Sequence, residues 1–261
     1  MRADLYLYAF GKAKSRQSAK LLIEGGNVKI DDKIVSKPAS DIDDSIEHTV
    51  EIINKPRFVS RGGEKLERAL DAFAINVDGA VCIDIGASTG GFTDCLLQRG
   101  ASLVYAVDSG YNQLDPAIYE DDRVVSIEKY NARFIQADDF NKRFDIAVMD
   151  VSFISQTFIH QGLHSVLNDG AYLISLIKPQ FECGKSALNS HGIVKSKADH
   201  LKAINRVVDS AIICGYSCID LIRSPIEGGS GNVEFLICLK KSSTPTNYIT
   251  DNKIKQITQA K

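Results

Sequence analysis

From residue 81 onward, short apolar runs alternate with segments of helical spacing, and this alternation limits the fold more than any other feature of the chain. VCIDIG, LVYAVD, VVSIE, FDIAVMD and AYLISLIKP have the length and composition of strands buried on both faces. Between and after them, residues 91–99, 155–167 and 197–214 carry helical periodicity. Such a β-α succession predicts a parallel sheet covered by helices. SCIDLIR and VEFLICLKK then follow each other with no long helix between, so an antiparallel hairpin should close the sheet. The expected class is α/β, a Rossmann-like sheet with an antiparallel C-terminal hairpin. Residues 242–261 are polar and read as a loose or short helical extension.

Residues 1–58 follow other rules and predict a small α+β domain. The apolar spacing of Leu5, Tyr6, Tyr8 and Ala9 suggests a first helix. Ser15 can cap a second, from Arg16 to Glu24, that stops at Gly25-Gly26. NVKIDDKIV reads as a hairpin turning at Asp31-Asp32, and TVEII as a last strand. Lys12, Lys14, Arg16 and Lys20 cluster with no acid among them, whereas Asp41, Asp43, Asp44 and Glu47 sit apart. Taken alone, such a basic helix is most simply a solvated face. Pro56 and Gly62-Gly63 punctuate the stretch that follows, so the boundary falls there. The division expected is 1–58, a linker at 59–63, a main domain at 64–241 and a tail at 242–261.

Composition excludes several classes. With 44% hydrophobic and 25% charged residues, the chain is globular rather than disordered. No apolar run approaches the ~18 residues that a membrane-spanning helix needs. Arg2 and Asp4 interrupt the start, so no secretory signal is read there and a cytoplasmic location is expected. The cysteines, at 82, 95, 183, 214, 218 and 238, are scattered without a C-x-x-C pair and read as reduced thiols.

The first strand of the main domain runs into DIGASTGGF, comprising Asp84, Gly86, Ala87, Ser88, Thr89, Gly90, Gly91 and Phe92. Strand, tight glycine turn and helix start together build a nucleotide-type pocket at the carboxyl edge of a sheet. A dinucleotide fingerprint would place glycine where Ser88 stands, and no Lys-Ser/Thr follows Gly91 as a Walker loop requires. A ligand that needs close backbone approach but carries no phosphate remains, and S-adenosylmethionine fits. Asp108 closes the second strand about twenty residues on, where an acid meets a ribose.

Four charged residues break local preference. Lys178 closes an apolar strand before Pro179, Asp150 ends FDIAVMD, and Glu234 interrupts NVEFLICL. Lys65 falls in the first turn of a helix, where a cation opposes the dipole. Each alone is most simply a surface salt-bridge partner, but two lysines and two acids converging on one crevice suit proton removal from a weakly acidic hydroxyl. A neighbouring cation lowers a lysine's pKa, an acid orients it, and the lysine accepts the proton.

SRGGEKL, DIGASTGGFTD, MDVSFIS, KPQFE and GNVEFL together resemble the TlyA family over about residues 1–241. Its members pair a small RNA-binding domain with an FtsJ-like ribose methyltransferase and often carry the name haemolysin. RADLYL, SRQSAKLLIEGGNVKIDD and KPAS are similar to the RNA-binding domain of ribosomal small-subunit protein four. The resemblance implies a class I S-adenosylmethionine-dependent fold and 2′-O-methylation of ribosomal RNA at cytidine. It also implies a lysine-aspartate-lysine-glutamate tetrad at Lys65, Asp150, Lys178 and Glu234, with Lys178 as general base. Arg2, Lys12, Lys14, Ser15, Arg16 and Lys20 become a phosphate-contacting face, which positions RNA without reading its bases. Arg57 to Ser60 depart from relatives that carry tryptophan there; this chain has none.

Other features are given bland readings. His160 and His164 lie four apart on one helix, but Gln161 replaces the glutamate of H-E-x-x-H, so a solvated or capping pair is expected and no metal site. Residues 227–232, EGGSGN, read as a mobile loop beside Glu234 rather than a phosphate nest, and Cys214 and Cys218 as core. The rival functions are a non-catalytic RNA-binding or ribosome assembly factor, a membrane-active haemolysin, and a nicotinamide oxidoreductase. No membrane or obligate protein partner is expected.

Overall fold

The computed structural model describes residues 1–259 apart from Lys14, Lys55 and the side chain of Leu21. The chain divides into two compact units, Met1–Arg57 and Phe58–Lys261.

The first unit packs helices α1 (Ala3–Ala9) and α2 (Arg16–Glu24) on a sheet of β1 (Val28–Ile30), β2 (Lys33–Ile34) and β3 (Val50–Ile52). β1 is central and antiparallel to both neighbours. Ser15 does cap α2, its Oγ accepting from Ser18 N at 3.1 Å. Asp31 and Asp32 both take positive φ, 48° and 63°, as the two-residue hairpin turn demands. Ala3, Tyr6, Leu7, Ala19, Leu22, Ile23, Val28 and Ile30 form the core. Each helix contributes residues three or four apart, so one stripe per helix faces the sheet.

In the second unit, α3 (Gly62–Ala72) precedes β4 (Val81–Ile85), α4 (Gly91–Gln98), β5 (Leu103–Val107), α5 (Pro116–Tyr119), β6 (Val124–Ile127) and β7 (Phe144–Met149). Then come α6 (His160–Val166), β8 (Leu167–Ile177), α7 (Pro179–Glu182), α8 (Lys197–Ile213), β9 (Tyr216–Arg223), β10 (Phe235–Lys241) and α9 (Asp251–Gln259). Seven strands form one sheet in the order β6-β5-β4-β7-β8-β10-β9. The neighbours from β6 to β8 pair in parallel. β10 inserts antiparallel between β8 and β9, so the closing hairpin lies at the edge with its second strand inward. After β6 the chain returns to lay β7 beside β4, and the crevice of such a sheet opens at the carboxyl ends of those two strands.

Strand alternation splits the core into two layers. Ile83, Ile85, Ala147 and Met149 face α6 and α8, whereas Cys82, Ile146 and Val148 face α3 and α4. By the same alternation, Asp84 belongs to the α4 side.

The stretch before α3 is packed. Phe58 is buried, Val59 N donates to Asp94 Oδ2 at 2.8 Å, and a Cβ on Gly63 would lie 2.2 Å from the Phe58 ring. The polar tail is likewise part of the fold. Asn247 bridges to Cys218, and Ile249 and Ile254 are buried in the same layer as α8. Helix α9 has too few apolar positions to advertise itself, but Ile254 and Thr258, four apart, seat it. The six cysteines are free thiols; Cys218 is buried and Cys214 partly so.

Candidate active site

The loop after β4 has the backbone of a ligand cradle. Gly86, Ser88 and Gly90 take φ of +84°, +50° and +92°. A Cβ on Gly86 would lie 2.5 Å from the carbonyl oxygen of Asp150, so only glycine lets the turn pass β7. Gly86 N and Ala87 N both donate to Val107 O, at 2.8 and 3.2 Å, which pins the turn to β5. Asp108 holds it from the other side, accepting from Ser88 N at 2.8 Å and Gly110 N at 2.7 Å. A carboxylate has lone pairs beyond these two bonds, so Asp108 can still receive a ribose hydroxyl. Ser88 is exposed, Thr89 partly so, and Asp115 N donates to the Thr89 carbonyl at 3.2 Å.

Two residues of the motif face elsewhere. Phe92 is 3% exposed and belongs to the core, packed against Gly62. Gly91 is closed in by Ser60 and Gly63, where a Cβ would meet Ser60 Oγ at 2.1 Å. Both serve helix packing.

Asp84 is fully buried. Thr93 donates to its Oδ2 at 2.7 Å, while Oδ1 has no hydrogen-bond partner among the described residues. Burial pushes its pKa from 3.8 to about 7, with the nearby Asp150 and Asp108 adding to the rise and Thr93 opposing it.

Lys178, Asp150, Lys65 and Glu234 form two ion pairs. Lys178 Nζ lies 2.6 Å from Asp150 Oδ1 and donates to Ser152 Oγ at 2.8 Å. The contact with Oδ1 is a charge contact rather than an aligned hydrogen bond. Lys65 Nζ donates to Glu234 Oε2 at 2.5 Å, with Glu234 2% exposed. Phe235 pairs with Ile177 across the antiparallel ladder, so the next rung sets Glu234 beside Lys178. Asp150 follows β7 on the neighbouring strand, and its N donates to Ile85 O at the base of the glycine turn. Gly228 supports the second pair: a Cβ there would lie 2.5 Å from Glu234 Oε1. Residues 227–232 are anchored by Asn232, which accepts from Val194 N at 3.0 Å and donates to Gly192 O at 3.1 Å.

Sequence reasoning missed two neighbours. Ser152 touches Lys178, and nothing in its surroundings distinguished it. Phe153 is 93% exposed with φ of +64°, a strained conformation for a bulky residue, and its ring lies 5.3 Å from that of Phe181. Lys178 Nζ stands 6.0 Å from the Phe181 ring. An exposed aromatic inside MDVSFIS was the available signal.

Of the histidine pair, His160 is not solvated, whereas His164 is partly exposed. His160 is fully buried, bonded through Nδ1 to Ser210 Oγ at 2.9 Å, and burial drives its pKa to about 4. His164 is half-buried with its ring edge-on to Tyr216.

In the first unit, Arg2 and Arg16 converge on one buried acid. Asp4 accepts from Arg2 Nε at 2.9 Å and from Arg16 Nη2 at 3.1 Å, and these partners hold its carboxyl at about 2. The acid was overlooked because it lies on α1, twelve residues before Arg16. Lys12 and Lys20 are exposed, the latter 3.6 Å from Glu24. Lys14 lies outside the described residues.

No helix among the described residues is long and apolar enough to cross a membrane. The FtsJ-like methyltransferase family model matches residues 58–241, and the S4 domain model matches residues 1–45. The 16S/23S rRNA (cytidine-2′-O)-methyltransferase TlyA of Mycobacterium tuberculosis is 41% identical, over 92% of this chain and 89% of that protein. Hemolysin A of Brachyspira hyodysenteriae is 41% identical, over 90% of this chain and 98% of that one. A solved hemolysin-type structure from Streptococcus thermophilus superposes with a TM-score of 0.80 at 42% identity, covering 99% of this chain and 94% of the other. A glycine cradle at the switch point, paired lysines and acids beside it, and matches that span both units lead to one conclusion: the chain is a methyltransferase and belongs to the TlyA family, an S4 domain followed by an FtsJ-like methyltransferase domain.

Proposed function

We propose that this protein methylates the 2′-hydroxyl of a cytidine ribose in ribosomal RNA, in the cytoplasm, with S-adenosylmethionine as donor and Lys178 as general base. The observation that carries the reading is the pair of lysine-carboxylate contacts at one sheet edge, Lys178–Asp150 at 2.6 Å and Lys65–Glu234 at 2.5 Å, beside the glycine turn.

The residues of the turn fit the cofactor. Gly86 lets the turn pass close against the Asp150 backbone, and Ser88 and Thr89 offer polar groups without the cations that a polyphosphate would need. Gly86, Ala87, Ser88, Thr89 and Gly90 would line the chain of the cofactor, Asp108 its ribose, and Asp84, with one buried oxygen that has no partner among the described residues, would complete the floor. When bound, the cofactor supplies an electrophilic methyl group on sulfur.

The protein's own contribution is to place and deprotonate the acceptor. Lys178, reacting as the neutral amine, takes the 2′-hydroxyl proton on Nζ and becomes the ammonium as the oxygen gains its methyl group. Asp150 and Ser152 hold Nζ in place, and Ser152 Oγ accepts one of its hydrogens. Lys65, fixed by Glu234, provides a cation near the reacting oxygen, and the buried carboxylate keeps that ammonium in place. The exposed Phe153 ring gives an unpaired base a face to stack on. In the first unit, Lys12 and Lys20 would meet phosphates, whereas Arg2 and Arg16 hold Asp4 and Ser15 serves as a helix cap.

Purified protein incubated with tritiated S-adenosylmethionine and separated ribosomal subunits tests the reading, beside a Lys178→Ala control. Label surviving in alkali-resistant dinucleotides, lost in the control, is the expected result. Label that alkali releases, or full activity in Lys178→Ala, would overturn the ribose assignment or the base assignment respectively.

A further inference from the structure

MDVSFIS and KPQFE hold more than the residues used above. Glu182 is a carboxylate 3% exposed, four residues past Lys178, and burial raises its pKa. It accepts from Ser155 Oγ at 2.5 Å and from Gln156 N at 3.0 Å. Both donors sit in the segment that leaves Asp150 and Ser152. The side chain thus ties the loop carrying Asp150 to the turn carrying Lys178.

The tie continues inward. Gln156 Oε1 accepts from Ser175 Oγ on β8, and its Nε2 donates to Leu176 O at 3.3 Å. His160, kept neutral by burial, lies 3.5 Å from Gln156 Oε1 and is fixed by Ser210 on α8. Arg206, also on α8, donates to the Glu182 carbonyl at 2.7 Å. An apolar residue could fill the space more cheaply than a buried carboxylate, but it could not hold two directional bonds. A connected polar network of this kind fixes one arrangement of the elements it joins.

We propose that Glu182 is a positioning residue for methyl transfer: its bonds to Ser155 and Gln156 set the placement of Asp150 and Ser152 around Lys178. The proposal rests on the reading of Lys178 as the base. Because an ångström of misplacement at a reacting centre costs about 100-fold in rate, the loss of this tie should appear in kcat.

The test measures methyl transfer to ribosomal subunits, and S-adenosylmethionine binding by calorimetry, in the full chain with Glu182→Ala, Glu182→Gln, Ser155→Ala and Lys178→Ala. The calorimetric stoichiometry counts correctly folded molecules, so kcat is expressed per binding-competent protein. Glu182→Ala should lower that kcat by ~30- to 100-fold, with KM for RNA and Kd for the cofactor within about twofold. Glu182→Gln keeps an acceptor for Gln156 N and should recover to within about fivefold of wild type, and Ser155→Ala should fall between the two Glu182 variants. An unchanged kcat per binding-competent molecule in Glu182→Ala would reduce the residue to a structural one and overturn the proposal. So would a Glu182→Gln protein as slow as Glu182→Ala. If Glu182→Ala does not bind cofactor, Ser155→Ala and Glu182→Gln decide by the same criteria. Wild-type rates in Lys178→Ala would instead refute the base itself, so the two failures read out on different variants.

Discussion

Asp84 places a carboxyl group where water does not reach, and replacing it with asparagine should change how stability depends on pH. The folded protein raises its pKa from 3.8 to about 7, chiefly by burial. Between those values the folded state holds a proton that the unfolded chain has released, so stability is full below pH ~4 and falls as pH rises toward ~7. At 1.36 kcal/mol per pKa unit, the loss between pH 5 and 7 is ~2 kcal/mol. Asp84→Asn keeps an acceptor for the Thr93 hydroxyl and never ionises, so it removes this slope. His160 works in the opposite sense. Its pKa drops from 6.5 to about 4, so its contribution is complete above 6.5 and is lost as pH falls. The two slopes cancel in the wild type over much of that window, which hides both from a single stability curve. Urea denaturation of wild type and Asp84→Asn at pH 5, 6, 7 and 8 separates them, because the histidine contribution drops out of the difference. The variant should gain ~2 kcal/mol relative to wild type between pH 5 and pH 7, levelling beyond. A difference that stays constant with pH would show that Asp84 does not titrate in this range.

The Lys65–Glu234 pair makes a second prediction. Lys65→Met strands a carboxylate that is 2% exposed and should destabilise the protein by ~3–5 kcal/mol, whereas Lys65→Met with Glu234→Gln should recover most of that stability but not methyl transfer. Urea denaturation and transfer assays on the two proteins check it, and recovered activity in the double variant would remove Lys65 from the chemistry. The basic residues of the first unit should divide by role. Lys12→Glu with Lys20→Glu should weaken RNA binding and reduce the slope of log affinity against log salt by about one for each phosphate no longer neutralised, with little effect on folding. Arg16→Ala should instead lower stability above pH ~4, because Asp4 loses one of the partners that hold its carboxyl at about 2, and that difference should fade as pH falls toward 2. Salt-titrated binding and acid denaturation distinguish the pair.

These effects mark where a sequence is informative and where it stops. Strands buried on both faces must be apolar throughout, so β4, β5, β7 and β8 announce themselves, and the chain's return from β6 to β7 makes the crevice follow from their order. The glycine turn is legible because any side chain at Gly86 would put its Cβ 2.5 Å from a backbone oxygen. The four charged residues were legible as breaches of local preference, but which lysine takes which acid depends on ladder register and on where α3 meets β10. Neither leaves a local trace: Lys65 and Glu234 are 169 residues apart. The same reason hid the rest. Arg16 looks like a free phosphate contact until Asp4 is folded against it. His160 looks solvated until α8 covers it, and the polar tail reads as loose or a short helix until Ile249 and Ile254 find the layer below. Glu182 is the sharpest case. In the sequence it is an acid on a surface-like turn after a strand, indistinguishable from Glu120 or Glu128. Only the approach of residues 155 and 156 converts it into a buried acceptor with two donors. A side chain that acts by joining two loops can be recognised only once both loops are in place.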